Sequence, residues 1–343
     1  MAAMLPITII AEIGINHNGS MQCAYKLIDE ASKAGADFVK FQIYSASASN
    51  SKYAGLASYQ RSIRSSLIEE DVLGLAKLVS LYELNHKQLT QLKDYCRSIN
   101  TKFAVSLFDM FSLRQWDLTG EPFIKVPSGE ITNFPLLRQI GENALSPIYL
   151  STGMANLGEI EAAIDVLELA GTMRNQITVL HCTTEYPAPL DEVNLRAMQT
   201  IAKAFDVAVG YSDHTEGIAV PIAAVALGAT VIEKHFTLDR NMEGPDHRAS
   251  LEPDQFKLMV QGIRAIEQAM GDGIKRPTAS ELANLPIVRK SLVAAKEIKP
   301  GEVFTTENIT AKRPGTGISP MRWDELIGRP SARTFAPDEL IEL

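Results

Sequence analysis

Eight short apolar segments recur along most of this chain, one helix-length apart, and that rhythm constrains the fold more than any other feature. They read ITIIAEIG (7–14), FVKFQIY (38–44), KFAVSLFD (102–109), FIKVPSG (123–129), PIYLSTGM (147–154), TVLHCTTEY (178–186), VAVGYSDH (207–214) and TVIEKHFT (230–237). Between most of them lie amphipathic runs such as AYKLIDEASKAGA, GEIEAAIDVLELAGT and GIAVPIAAVALGA, with glycine at the exit where a helix C-cap uses it. Strands alternating with helices imply a parallel sheet. A count of eight predicts a closed (β/α)8 TIM barrel over an open doubly wound sheet.

The barrel is expected over residues 1–270, closing with the helix FKLMVQGIRAIEQAM (256–270). A linker rich in Gly, Pro and Ser follows at 271–287. From Val288 the pattern changes to short β-like pieces punctuated by Pro-Gly turns, a second, mostly-β domain over 288–343. A domain of that size is marginal alone, so it is expected to lean on the barrel or on another subunit. The stretch 45–86 is too long for one loop and helix. With Tyr53, Tyr59, Arg61 and Arg64 it reads as an insertion over the barrel mouth.

A net charge of −8 argues against non-specific nucleic-acid binding. Three cysteines, Cys23, Cys96 and Cys182, have neither metal-type spacing nor an even disulfide count, which fits a reducing compartment. The apolar run at the N-terminus lacks a basic flank and breaks at Glu12, so neither a signal peptide nor a membrane span is expected. The expectation is a soluble, cytoplasmic protein with no membrane or nucleic-acid partner.

In a barrel the active site lies at the C-terminal ends of the strands. Here every segment ends in polar residues, among them Glu12; Lys40 and Gln42; Ser106; Lys125, Ser128 and Glu130; Ser151; Tyr186; Ser212, Asp213 and His214; and Glu233 and His235. Strand period two puts Lys40 with Gln42, Ser212 with His214, and Glu233 with His235. His214 and His235 therefore end neighbouring strands. A single histidine is commonly satisfied by a backbone carbonyl; a pair flanked by Asp213 and Glu233 suits a divalent metal. His181 is expected in an interior layer of strand six, and His17 is open between structure and site. Lys40 and Lys125 with Ser106, Ser128, Ser151 and Ser212 suit a phosphate or carboxylate. Glu130, beside that cationic rim, is a candidate for proton transfer or for gripping hydroxyls.

The same residues carry a likeness. AEIGINHNG (11–19), VKFQ (39–42), KVPSGE (125–130), STGM (151–154), EYPAP (185–189), GYSDHT (210–215), EKHFTLDR (233–240), GPDH (244–247) and KRPG (312–315) together resemble the sialic acid synthase family, nearly end to end. The resemblance implies a barrel that condenses phosphoenolpyruvate with an N-acyl amino-sugar aldehyde. It also implies a C-terminal antifreeze-like (SAF, β-clip) domain that crosses to a partner in a domain-swapped homodimer. His214 and His235 resemble the ligands of a divalent metal, manganese first, with magnesium or cobalt as alternatives. Lys40, Ser106, Lys125, Ser128, Ser151 and Ser212 resemble the phosphoenolpyruvate pocket. Glu130, Lys40, Lys125, Tyr186 and Asp246 are the implied catalytic residues. Glu12, Gln42, Glu130, Tyr186 and Asp246 are implied to hold the sugar, with Arg313 reaching the N-acyl group from the partner. Glu233 is expected to orient the site. AVSLFD stands where many members have Ser-Thr-Pro-Phe, and Thr184 where some place an Asn.

The sugar expected first is N-acetylmannosamine, giving N-acetylneuraminate. The alternative is 2,4-diacetamido-2,4,6-trideoxymannose, giving N,N'-diacetyllegionaminate. Two competing classes are a metal-dependent sugar isomerase or hydrolase, which needs no two-lysine anion pocket, and a non-enzymatic ice- or glycan-binding protein.

Overall fold

The computed structural model describes residues 6–57, 60 and 75–342. Strands β1 (Thr8–Gly14), β2 (Phe38–Ile43), β3 (Lys102–Leu107), β4 (Ile124–Val126), β5 (Ile148–Ser151), β6 (Ile177–His181), β7 (Ala208–Asp213) and β8 (Val231–His235) pair in order, all parallel, and β8 returns to β1. The barrel is closed, as the alternation predicts.

Period two divides each strand between two cores. Outward residues such as Ile9, Val39, Val105, Leu150 and Ile232 pack against the helices, whose buried stripes supply Leu27, Leu92, Leu136, Ile164 and Phe256. Inward, Ile10, Phe38, Ala104, Phe123, Leu180 and Val231 plug the floor with Tyr149. Such side-chain layers make a barrel a packed core and leave its C-terminal rim for chemistry. Arg264, on the helix Pro253–Met270, donates to the Ile7 carbonyl (2.8 Å) and to Asp37 Oδ2 (2.7 Å), tying the last helix to the first two strands.

The chain divides into two compact units, Met1–Gly271 and Asp272–Leu343. In the second, β9 (Ser291–Ala294) and β10 (Ile309–Lys312) run antiparallel over a small core of Leu292, Ile298, Phe304, Ile309, Leu326 and Phe335. The segment between its start and β9 holds two exposed single-turn helices, Ala279–Leu282 and Leu285–Val288. Among the described residues no helix is long and apolar enough to cross a membrane, and the three cysteines are free.

Candidate active site

Above the apolar floor the inward positions change character within one step of the pleat. Glu12, Lys40, Ser106, Lys125, Ser151, Ser212 and Glu233 all line one cavity of about 490 Å³ at the rim, with Gln42, His214 and His235. That volume lies within the roughly 300–1,000 Å³ usual for small-molecule sites.

Two lysines are buried here, Lys40 2% and Lys125 3% exposed, a situation tolerable only with partners. Lys40 Nζ lies 2.5 Å from Glu12 Oε2, donates to Ser106 Oγ at 2.5 Å, and stands 3.6 Å from Glu233 Oε2. Lys125 Nζ is 3.5 Å from Glu233 Oε1, which also accepts from Ser212 Oγ at 2.8 Å. Burial works against the Lys40 charge, but Glu12 and Glu233 outweigh it and raise its pKa. Lys125 has less opposing charge, and burial lowers it. Burial pushes the Glu233 carboxyl up, yet Lys125, Lys40 and the Ser212 hydroxyl hold it at about 2. Glu12 is pushed up by burial, against the pull of Lys40. Glu12 and Gln42 meet (2.9 Å) because residue 14 is glycine: a Cβ there would come within 3.0 Å of Glu12 Oε1 and 3.1 Å of Gln42 Nε2.

His214 and His235 face one another with ring centroids 5.4 Å apart, and Tyr186 packs on both, 4.1 and 5.6 Å away. His214 Nδ1 donates to the Thr183 carbonyl oxygen at 2.6 Å, which leaves Nε2 as the electron-pair donor. His235 Nδ1 is buried without a hydrogen-bond partner among the described residues, with Asp246 Oδ2 3.8 Å away. Burial holds His214 at about 4 and His235 well below the ordinary value, so both rings are neutral. Two neutral imidazoles with open nitrogens are the donor set a divalent transition metal takes. Among the described residues no third His, Cys, Asp or Glu completes a cluster, so the pair would leave coordination positions open.

The remaining predicted residues gather around this ring. Ser128 Oγ accepts from the Gly153 N–H (3.0 Å) and lies 3.2 Å from Cys182 Sγ. Ser151 Oγ and Thr184 Oγ1 are buried hydroxyls with no partner among the described residues. Gly153 is needed between them, since a Cβ there would fall 2.0 Å from Thr184 Oγ1 and 2.9 Å from Ser128 Oγ. Glu130 lines the same cavity and accepts from Asn133 Nδ2 at 2.6 Å; burial raises its carboxyl above the ordinary range. Asp246 is raised to about 7 by burial, with Glu12 adding to the effect.

Two expectations change, and the open reading of His17 is decided. Asp213 does not flank the histidine pair: it points away from the barrel axis into a fully buried ion pair with Lys234 (2.6 Å), because it alternates with Ser212. His181 does not lie in an interior layer. Leu180 takes the inward position, and His181 Nε2 sits 2.8 Å from the Val193 carbonyl oxygen, beyond the strand. His17 is structural: its Nδ1 accepts from the Gly19 N–H and its ring stacks on Phe41, away from the cavity. Arg313 is exposed within the second unit, its Nε donating to the Val288 carbonyl oxygen at 2.9 Å.

Several participants escaped the sequence reading. Asn133, which grips Glu130, was not singled out there: it is the N-cap of the helix Phe134–Asn143, where its Oδ1 accepts the Leu136 N–H. The Thr183 carbonyl has no sequence signal at all. Of the mouth insertion, Tyr53 is exposed, Tyr59, Arg61 and Arg64 lie outside the described residues, and Leu75, Leu78, Val79 and Tyr82 line the cavity.

A closed (β/α)8 barrel whose rim holds buried lysines beside a neutral imidazole pair defines an enzyme that handles an anionic substrate. The comparisons make the class specific. The NeuB family matches residues 27–275 and the SAF domain residues 289–342, and the chain belongs to the NeuB family. It is 51% identical over 333 residues to the N,N'-diacetyllegionaminic acid synthase of Campylobacter jejuni, covering 97% of this chain and 98% of that one. It is 41% identical to the enzyme of the same name from Legionella pneumophila, over 93% of this chain and 89% of that one. Among solved structures it resembles the N-acetylneuraminic acid (sialic acid) synthetase of Leptospira borgpetersenii. That likeness has a TM-score of 0.70 and 33% identity, and covers 82% of this chain and 90% of that one.

Proposed function

We propose that this chain condenses phosphoenolpyruvate with the open-chain aldehyde of 2,4-diacetamido-2,4,6-trideoxymannose, giving N,N'-diacetyllegionaminate and inorganic phosphate. The observation that carries the reading is the shared cavity in which buried Lys40 and Lys125 adjoin two neutral imidazoles. An isomerase or hydrolase has no use for the first half of that arrangement. The sugar expected first from sequence, N-acetylmannosamine, becomes the second reading, supported by the likeness to the Leptospira synthetase; the two legionaminic acid synthases named above support the diacetamido sugar.

In the proposed reaction carbon 3 of phosphoenolpyruvate attacks the sugar aldehyde, water adds at carbon 2, and the tetrahedral intermediate expels phosphate by C–O cleavage. A divalent ion on His214 and His235, manganese first, with magnesium or cobalt as alternatives, would supply Lewis acidity at the aldehyde. Lys40 and Lys125 neutralise phosphate and carboxylate, and Ser106, Ser128, Ser151 and Ser212 provide hydroxyl donors. Glu130, whose raised pKa suits proton transfer, takes the proton from the adding water. Glu12, Gln42, Tyr186 and Asp246 hold sugar hydroxyls, and Arg313 of a second copy reaches the N-acyl group in a domain-swapped homodimer.

The test assays both sugars side by side with phosphoenolpyruvate and manganese, following phosphate release and product mass. Phosphate release that requires both substrates is expected, with the diacetamido sugar preferred. No release with either sugar would refute the condensation.

A further inference from the structure

One side of the cavity takes no part in the chemistry above. Past the ends of the strands that carry Glu12, Lys40 and Ser106, Ile15, Tyr44 and Phe108 join Leu78, Val79 and Tyr82 in lining the same space, and all six belong to one apolar cluster. Ile15, Tyr44 and Phe108 directly follow β1, β2 and β3, Leu78 and Val79 lie on the helix Leu75–Ser80 of the mouth insertion, and Tyr82 follows that helix. The Tyr44 hydroxyl is spent on the Val79 carbonyl (2.9 Å), and its ring meets Phe108 edge-on at 6.0 Å, so Tyr44 offers the cavity carbon rather than oxygen. Leu78 is 3% exposed, although it stands on a short helix outside the barrel core. Among the described residues that line the cavity, the only lysines or arginines are Lys40 and Lys125, and neither belongs to this cluster.

A sugar whose aldehyde lies at the histidine pair must extend its far end toward the mouth. We infer that this wall reads carbon 6 of the sugar, accepting a methyl group and discriminating against a hydroxyl or a phosphate there. The inference rests on the proposed reaction and adds to it the residues that select the substrate class. A buried methyl gains contact with such a surface, whereas a hydroxyl placed there loses its water partners. An apolar pocket separates such a pair by up to about 100-fold and no more.

The experiment compares sugars that differ at carbon 6 alone: 2,4-diacetamido-2,4,6-trideoxymannose against its 6-hydroxy counterpart, and N-acetylmannosamine against its 6-deoxy and 6-phosphate forms. Phosphate release gives kcat/KM, and calorimetry on the whole protein gives direct sugar binding. The 6-deoxy member of each pair is expected to lead by roughly 10- to 100-fold, with no turnover of the 6-phosphate. Val79→Thr, nearly isosteric, and Leu78→Asn should each shrink that lead to a few-fold in protein that circular dichroism shows to be folded. Selective binding of 6-deoxy sugars without phosphate release would overturn the condensation and keep the wall. Equal binding of each pair, turnover of the 6-phosphate, or an unchanged lead in both folded variants would overturn the wall.

Discussion

The Nδ1 of His214 lies 2.6 Å from the carbonyl oxygen of Thr183, so the backbone of one strand end fixes the ring on the next. This contact sets the tautomer and leaves Nε2 free to donate its electron pair. Chelation is therefore expected to abolish phosphate release, and manganese, cobalt or magnesium to restore it. Calorimetric titration with manganese should show that His235→Ala loses more affinity than the roughly 10–100-fold attributed to outer partners. Undiminished manganese binding in that variant would remove the pair from the metal site.

Lys125→Met should raise KM for phosphoenolpyruvate far more than KM for the sugar. Lys125 is buried with Glu233 3.5 Å away, and removing such a cation costs about 2–5 kcal/mol. Initial-rate kinetics with each substrate varied in turn would test this. Equal effects on both substrates would count against the anion pocket.

Glu130 carries a pKa raised chiefly by burial. The folded state thus holds its proton more tightly than the unfolded chain does. Its contribution to stability falls as pH rises from the ordinary glutamate value, roughly 4.3, through the raised folded value, and stays low above it. Glu130→Gln should therefore melt higher than the parent near pH 7, with the gap closing below about pH 4. Its turnover should drop by roughly 100-fold or more if the carboxylate moves a proton. A melting difference independent of pH would contradict the burial effect.

Gly153→Ala should destabilise by about 1–3 kcal/mol and weaken phosphoenolpyruvate binding, because its Cβ would meet Thr184 Oγ1 at 2.0 Å. Adding Thr184→Ala removes that oxygen, so the double variant should regain part of the melting temperature. Strict additivity in this double-mutant cycle would mean the two positions do not collide.

The domain swap is tested by complementation. Arg313→Ala and His235→Ala are each expected to be inactive. If Arg313 acts on the partner's site, a heterodimer of the two carries one doubly altered site and one intact site. Mixing should then restore activity after confirmed subunit exchange, and continued silence would place Arg313 in cis or outside the site.

The barrel and the lysine ring were legible because period two and strand count are local signals: Lys40, Lys125, His214 and His235 follow from parity alone. Asp213 and His181 went astray by one residue, and in a strand one residue is the whole difference between axis and helix layer. The wall of Tyr44, Leu78 and Tyr82 was hidden for another reason. With Ile15 and Phe108 its members lie up to 93 positions apart and share no motif, so only tertiary contact reveals them as one surface.

The two buried lysines already have Glu12 and Glu233 as companions, so each ammonium group has a carboxyl beside it before any substrate arrives. In the proposed reaction an incoming phosphate would enter by counter-ion exchange, competing with carboxylates for the same ammonium groups. The same exchange eases departure. When phosphate leaves, each lysine would have a carboxylate beside it, and no bare cation would be stranded against the apolar floor. A site built this way trades tight capture of its anion for ready turnover.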